Sequence, residues 1–191
     1  MADIKTQKLL YHITSFDNVA SILANGLLPR AHIQGFEDVA DHAILDGRKA
    51  FNLDQYVPFH FFPRNPFDGG VQRDNPRTDF VLFTVRRTLA QARNWNIIPR
   101  HPLAAQGVEV LDYVVGFNRI NWEAMNRRDY RDDESKSVCM AECISPNSVA
   151  VADFFKIYVP NEQVKQNVEM LVRDQGVVLD VQVNKGMFLT R

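Results

Sequence analysis

Apolar residues change their spacing several times along the chain, and each change marks a predicted element. "KLLYHI" is apolar on both sides of a short extended run and predicts a buried strand. It gives way to "TSFDN", where Thr14 followed three residues later by Asp17 matches a capping box. Phe16, Val19, Ala20 and Leu23 then recur at helical spacing, with Gly26 as the C-terminal stop. A second helix is predicted in "FEDVADHAILDGRKAF", with Val39, Ala43 and Ile44 inward and an end near Gly47. "YVPFHFFPRNPF", bracketed by Pro58 and Pro66, predicts a short strand near a sheet edge and then loop. "DFVLFTV", residues 79–85, is the clearest central strand. "LDYVVGFN" and "AECIS" are shorter strand candidates, and "SVAVADFFKIYV" reads as one long strand or two with a bend. "NEQVKQNVEMLVRDQG" predicts a helix with Val164, Val168, Leu171 and Val172 on one face and Gly176 at its end; "VVLDVQV" is the last strand.

This order is α+β rather than alternating βαβ. The chain of 191 residues shows no internal repeat or low-complexity tract, so one domain spanning residues 1–191 is expected. A net charge of −1 gives no overall basic field for nucleic acid, but a local stripe of arginines suffices. Arg127, Arg128 and Arg131 form one cluster and Arg64, Arg73 and Arg77 another; both also read as solvated loop. Cys139 and Cys143 are too few for a disulfide framework and lack the second pair a zinc site needs. No apolar run approaches the roughly 20 residues that span a membrane. "MADIKTQ" has no apolar signal region, so a cytoplasmic protein without membrane contact is expected.

Phosphate-loop, dinucleotide-fingerprint and zinc-protease motifs are absent, and histidines 12, 32, 42, 60 and 101 have no metal-ligand spacing. No metal is expected. Three residues stand out. His12 ends a predicted strand, where it is either a core histidine bonded to backbone or a group that holds a ligand. Glu142 lies inside "VCMAECISP", so its carboxylate points to solvent or into a cleft, where it needs a partner. A long charged stretch without periodicity, "NRRDYRDDESKSV", leads into it and suits substrate recognition by a mobile loop. Arg48, in "LDGRKAF", is a fixed cation able to fork onto phosphate or carboxylate.

Three blocks in order resemble the DarT family, toxins of DarT–DarG toxin–antitoxin systems that ADP-ribosylate single-stranded DNA using NAD. "YHITSFDNVASILANGLL" is similar to that family's opening, "YVPFHFFPRNPF" to its "YVPFYF.PRSPM" block, and "NWEAMNRR…MAECIS" to its "WEAI…AEFLV" block. The resemblance implies an ADP-ribosyltransferase fold: two packed, mostly antiparallel sheets with flanking helices and a central NAD cleft. It implies that His12, Thr14, Asn18 and Arg48 hold NAD and that Glu142 and Arg48 are catalytic. The family's arginine falls at Arg48 or at the adjacent Lys49. Three positions depart from the family pattern: His60 stands for an aromatic, and Asn65 and Phe67 make "PRNPF" of "PRSPM".

NAD would serve as co-substrate. Its glycosidic bond breaks to an oxocarbenium-like sugar that a carboxylate stabilises. A base acceptor must be unstacked to reach the cleft, which favours single-stranded DNA, with RNA as the other possibility. Arg127, Arg128, Tyr130 and Arg131 are the residues expected to bind it, and Phe62 is read mainly as core. A macrodomain-type antitoxin would be a separate partner. The competing readings are transfer to RNA or protein, and an inactive homologue that only binds nucleic acid.

Overall fold

The computed structural model describes residues 3–33, 42–104 and 107–189, the side chains of 42–45 excepted. Among these residues eight strands form one sheet: β1 (Leu9–Ser15), β2 (Val57–His60), β3 (Phe80–Arg86), β4 (Asn96–Ile98), β5 (Leu111–Asp112), β6 (Glu142–Ser145), β7 (Lys156–Val159) and β8 (Val181–Val183). Their order is β5-β4-β6-β2-β1-β3-β7-β8, and only β7 with β8 is parallel.

The class is α+β, as predicted, while the two expected sheets take a different form. Two four-stranded halves, β5-β4-β6-β2 and β1-β3-β7-β8, meet at the single pair Tyr11↔His60. β1 is paired with β3 along its whole length. The reason for the weak seam lies in Pro58. Alternate residues of a strand direct their backbone polar groups to the same neighbour, so Pro58 faces β1 as His60 does. Having no N–H, it cannot extend the ladder. Its carbonyl accepts instead from the His12 ring at 2.8 Å. β2 is therefore central rather than near an edge, and its proline is tolerated because the missing donor falls in the seam.

The helices are α1 (Val19–Asn25), α2 (His42–Ala50), α3 (Pro66–Asp74), α4 (Arg87–Ala92), α5 (Tyr113–Arg119), α6 (Trp122–Arg127), α7 (Asp133–Val138) and α8 (Glu162–Asp174). Ahead of α1, the cap belongs to Ser15 rather than Thr14: its hydroxyl accepts from the Asp17 N–H at 3.2 Å, opening a 3-10 turn over Phe16–Asn18. Thr14 Oγ1 is occupied by Asn18 Nδ2, which donates to it at 3.1 Å. Gly26 ends α1 as predicted, at φ 77°, and a Cβ there would sit 2.4 Å from the Val149 carbonyl oxygen.

Other elements differ from their sequence prediction. α2 runs through Gly47 instead of ending there. That glycine lies against Leu103, whose Cδ1 would be 2.8 Å from a Cβ. Val39, with residues 34–41, and the side chains of Ala43 and Ile44 lie outside the described residues. Pro66 opens α3 rather than a loop, in the first-turn position where its missing N–H costs nothing, with Asn65 accepting from the Asp68 N–H at 3.0 Å. "LDYVVGFN" contributes only β5 before turning into α5. There Tyr113 and Phe117, four residues apart, stack at 5.9 Å, and Phe117 meets Trp122 at 4.6 Å, so helical aromatic contacts prevail over the strand preference of Val114 and Val115. "SVAVADFFKIYV" resolves into a 3-10 turn over Val151–Asp153 and then β7. The charged stretch before Glu142 is partly ordered as α7, whose first turn Asp132 caps by accepting from the Ser135 N–H at 2.7 Å. β1, β3, β6, β8 and α8 lie where the apolar spacing puts them.

Arg87 ties the first strand to its surroundings. It is 6% exposed, and its guanidinium donates to four carbonyls: Leu9 (3.1 Å), Ile4 (2.9 Å), Lys5 (3.2 Å) and Phe61 (2.8 Å). Burial pulls its pKa down to about 10, so it is a cation at neutral pH.

Candidate active site

Glu142 opens β6 and is 5% exposed, its neighbours Cys143 and Ile144 being fully buried. Arg48, in the last turn of α2, reaches it. Nη1 donates to Oε1 at 2.6 Å and to Oε2 at 2.9 Å. Arg48 Nη2 is buried and has no hydrogen-bond partner among the described residues. Of the two adjacent cations, Arg48 is the one that meets the glutamate; Lys49 is exposed. Burying both members of an ion pair removes their hydration, so such a pair is poor evidence for stabilisation. A buried donor left over beside it is better read as a group for an anionic ligand.

His12 makes the backbone bond that one reading of the sequence expects and leaves its other ring nitrogen open for the second. It is half-buried in the seam, and because a carbonyl can only accept, Nδ1 carries the proton that bonds Pro58. Burial pushes its pKa down to about 4, against the opposing effects of that bond and of Glu142. The ring is therefore neutral at physiological pH, and Nε2, without a partner among the described residues, is an acceptor. Thr14, near the end of β1, and Asn18, just past it, are both buried and joined to each other.

Two further histidines converge here that their positions in the sequence do not announce as a group. His60 is directly opposite Glu142 in the β2–β6 ladder and is 5% exposed. His101 follows β4, and its pKa is lowered, chiefly by burial, with Glu142 opposing and His60 and Arg48 assisting. The only signal in the sequence is the departure at His60. No group of histidine, cysteine and acidic residues able to hold a metal occurs among the described residues. Cys139 and Cys143 are buried free thiols.

Asp68 lies on α3, near His60, with Oδ2 accepting from the Arg64 N–H at 3.1 Å and Oδ1 buried without a partner among the described residues. Burial raises its pKa to about 6. The unfolded chain releases this proton near pH 3.8, whereas the folded chain holds it to about 6, so stability is lost as pH rises through that window. Asp68→Asn is therefore expected to stabilise the protein above pH 6, by up to about 3 kcal/mol, and to have little effect at pH 3.5. Thermal melting of both proteins at the two pH values checks this; a destabilised variant at pH 7.5 contradicts it.

The residues expected to bind nucleic acid differ in their surroundings. Arg127 is half-exposed and paired with Glu123 (3.9 Å) and Asp132 (3.8 Å). Arg131 is exposed. Arg128 and Tyr130 line a cleft together with Arg64, which belongs to the other arginine cluster of the sequence. Phe62 is core, as predicted, and Arg128 lies over its ring.

A family model described as "ssDNA thymidine ADP-ribosyltransferase, DarT" matches residues 11–189. The chain belongs to the DarT family. Among DarT relatives, a DNA ADP-ribosyl transferase–DNA ADP-ribosyl glycohydrolase fusion protein of Thermosipho africanus (strain H17ap60334) is 28% identical over 182 residues. That match covers 88% of this chain and 46% of the relative, so the chain spans about half the length of that protein. The solved DarT of Thermus sp. 2.9 in complex with ADP-ribosylated single-stranded DNA has TM-score 0.83 at 19% identity, covering 95% of this chain and 96% of that one. The same protein in complex with NAD+ has TM-score 0.78 at 18% identity, covering 95% and 97%. The eight-stranded sheet with its helices is thus the DarT fold. No helix among the described residues is long and apolar enough to cross a membrane.

Proposed function

We propose that this chain acts as one transferase domain that moves ADP-ribose from NAD to thymidine in single-stranded DNA. The observation that carries the reading is Arg48 Nη1 spanning both oxygens of buried Glu142 at the seam where His12 lies. His12 Nε2 accepts from a hydroxyl of the nicotinamide ribose, and Thr14 and Asn18 hold the dinucleotide at the end of β1. Arg48 Nη2 faces the negative charge of the pyrophosphate. As the bond from ribose C1′ to nicotinamide breaks, its electron pair leaves with the nicotinamide, and the carboxylate of Glu142 stabilises the positive charge left on the sugar. A ring nitrogen of the base then attacks C1′, and Glu142 takes the proton that this nitrogen loses.

Support comes from the family, whose members are single-stranded-DNA thymidine ADP-ribosyltransferases, and from relatives solved with NAD+ and with ADP-ribosylated DNA. A DNA ADP-ribosyl glycohydrolase is the natural partner, because the Thermosipho relative carries one fused to its transferase. In a separate chain it would be the antitoxin and this chain the toxin. The buried free thiols agree with a reducing, cytoplasmic setting.

Labelled NAD supplied separately with single-stranded DNA, RNA and protein tests the reading. Label on the DNA alone, absent when thymidine is omitted from the oligonucleotide, is expected. Label confined to RNA or protein overturns the choice of acceptor.

A further inference from the structure

Beside the end of β2 a cleft of about 500 Å3 opens, large enough for a nucleotide. Its walls are Tyr11, Phe62, Arg64, Arg128, Tyr130 and the 3-10 turn at Gly186 and Met187. Tyr11, His60 and Glu142 are directly opposite one another on adjacent strands. The Tyr11 wall of the cleft is therefore two strand spacings, about 10 Å measured along the backbone, from Glu142. Thr14 and Asn18 lie toward the other end of β1, so a dinucleotide held there leaves this cleft to another ligand.

The two arginines are held in place by their surroundings. The Arg128 guanidinium lies 4.6 Å over the Phe62 ring, and its Nε is buried with no hydrogen-bond partner among the described residues. Arg64 donates through Nη1 to the Gly186 carbonyl at 3.4 Å, and its own carbonyl accepts from the Tyr130 hydroxyl at 3.4 Å. Neither arginine forms an ion pair among the described residues. Both have left-handed backbone, φ 59° for Arg64 and φ 50° for Arg128. The other described non-glycine residues with positive φ, Asn52 and Asn94, are of the type that tolerates it; arginine is not. Strain of this kind persists only where the surrounding structure over-determines it. Here it aims two cations at one cleft. Tyr130, 40% exposed, supplies a flat face at the rim.

We propose that this cleft is a subsite for the nucleotide next to the one being modified, with its phosphate between Arg64 and Arg128 and its base on Tyr130. The inference rests on the nucleic-acid reading above and names where the strand beyond the target lies. Stacking on an aromatic ring and a forked arginine contact to phosphate are the usual means of holding a single strand.

The test is binding without chemistry: anisotropy of a labelled single-stranded oligonucleotide over a salt series, with wild type, Arg64→Gln/Arg128→Gly and Tyr130→Ala. Glycine at 128 keeps the left-handed turn while removing the guanidinium. The double variant is expected to bind at least tenfold more weakly, with a salt slope shallower by about 0.7 for each phosphate that is no longer neutralised. Tyr130→Ala is expected to weaken binding about tenfold with the slope unchanged. Affinity and slope equal to wild type in the double variant overturn the subsite. Loss of NAD binding by calorimetry with oligonucleotide binding retained also overturns it and assigns the cleft to the dinucleotide. The readout is binding alone, so failure of the labelled-NAD assay combined with oligonucleotide binding that depends on these arginines would sink the transferase reading and leave the cleft as a single-strand binding site.

Discussion

Glu142→Gln is expected to lower transfer to single-stranded DNA by a thousandfold or more while leaving a folded protein. The substitution keeps the shape of the side chain and one oxygen for Arg48, but removes the negative charge proposed to face the developing cation on the sugar. Loss of one positioned electrostatic group in a dry site costs roughly 10²–10³ in rate. Loss of the proton acceptor for the base adds a factor of about 10²–10⁴. The two roles belong to one carboxylate, so their losses need not multiply. NAD binding should change far less than turnover, since Thr14, Asn18 and His12, the proposed NAD-holding residues, remain. Single-turnover transfer and calorimetric NAD binding on the same preparation separate the two. Transfer within tenfold of wild type would remove Glu142 from the chemistry.

Arg87→Met is expected to have the largest effect on stability. Methionine replaces much of the side-chain volume but none of the donors, leaving the carbonyls of Ile4, Lys5, Leu9 and Phe61 without the group they share. A buried acceptor left unmade costs roughly 1–3 kcal/mol, and the carbonyls nearest the surface recover water. A net loss of about 3 kcal/mol follows, or roughly 6–12 °C in Tm for a domain of this size. Arg87→Lys keeps the charge but cannot span all four acceptors, so it should fall between the two. Thermal melting decides the matter; a Tm within 2 °C of wild type for Arg87→Met would show that the staple is dispensable.

The legible part of the fold is carried by periodicity. β3 is buried along nearly its whole length, and α8 turns Val164, Val168 and Val172 inward at helical spacing. Both patterns are local, and local patterns suffice for such elements. Pro58 points to an edge only if a strand proline needs solvent on its donor side; a seam inside the sheet serves equally well, and that depends on His12, 46 residues away. α5 reads as a strand because two valines outweigh a pair of aromatics whose contact only a helix makes. The site divides in the same way. His12 and Glu142 stand out as candidates through blocks that resemble a family; Arg48 lies between those blocks, and the choice between it and Lys49 depends on which one α2 turns toward β6. Arg64 joins Arg128 through a turn whose left-handed backbone leaves no trace in the residue type.

The seam has a consequence for how ligand affinity arises. A gap that had to be pried open between paired strands would charge every binding event with broken backbone hydrogen bonds. Here the opening is written into the covalent chain by one imino acid, and the acceptor it leaves is already occupied by an imidazole. A ligand that enters meets polar groups already fixed in direction, so its binding energy is not consumed in rearranging the host.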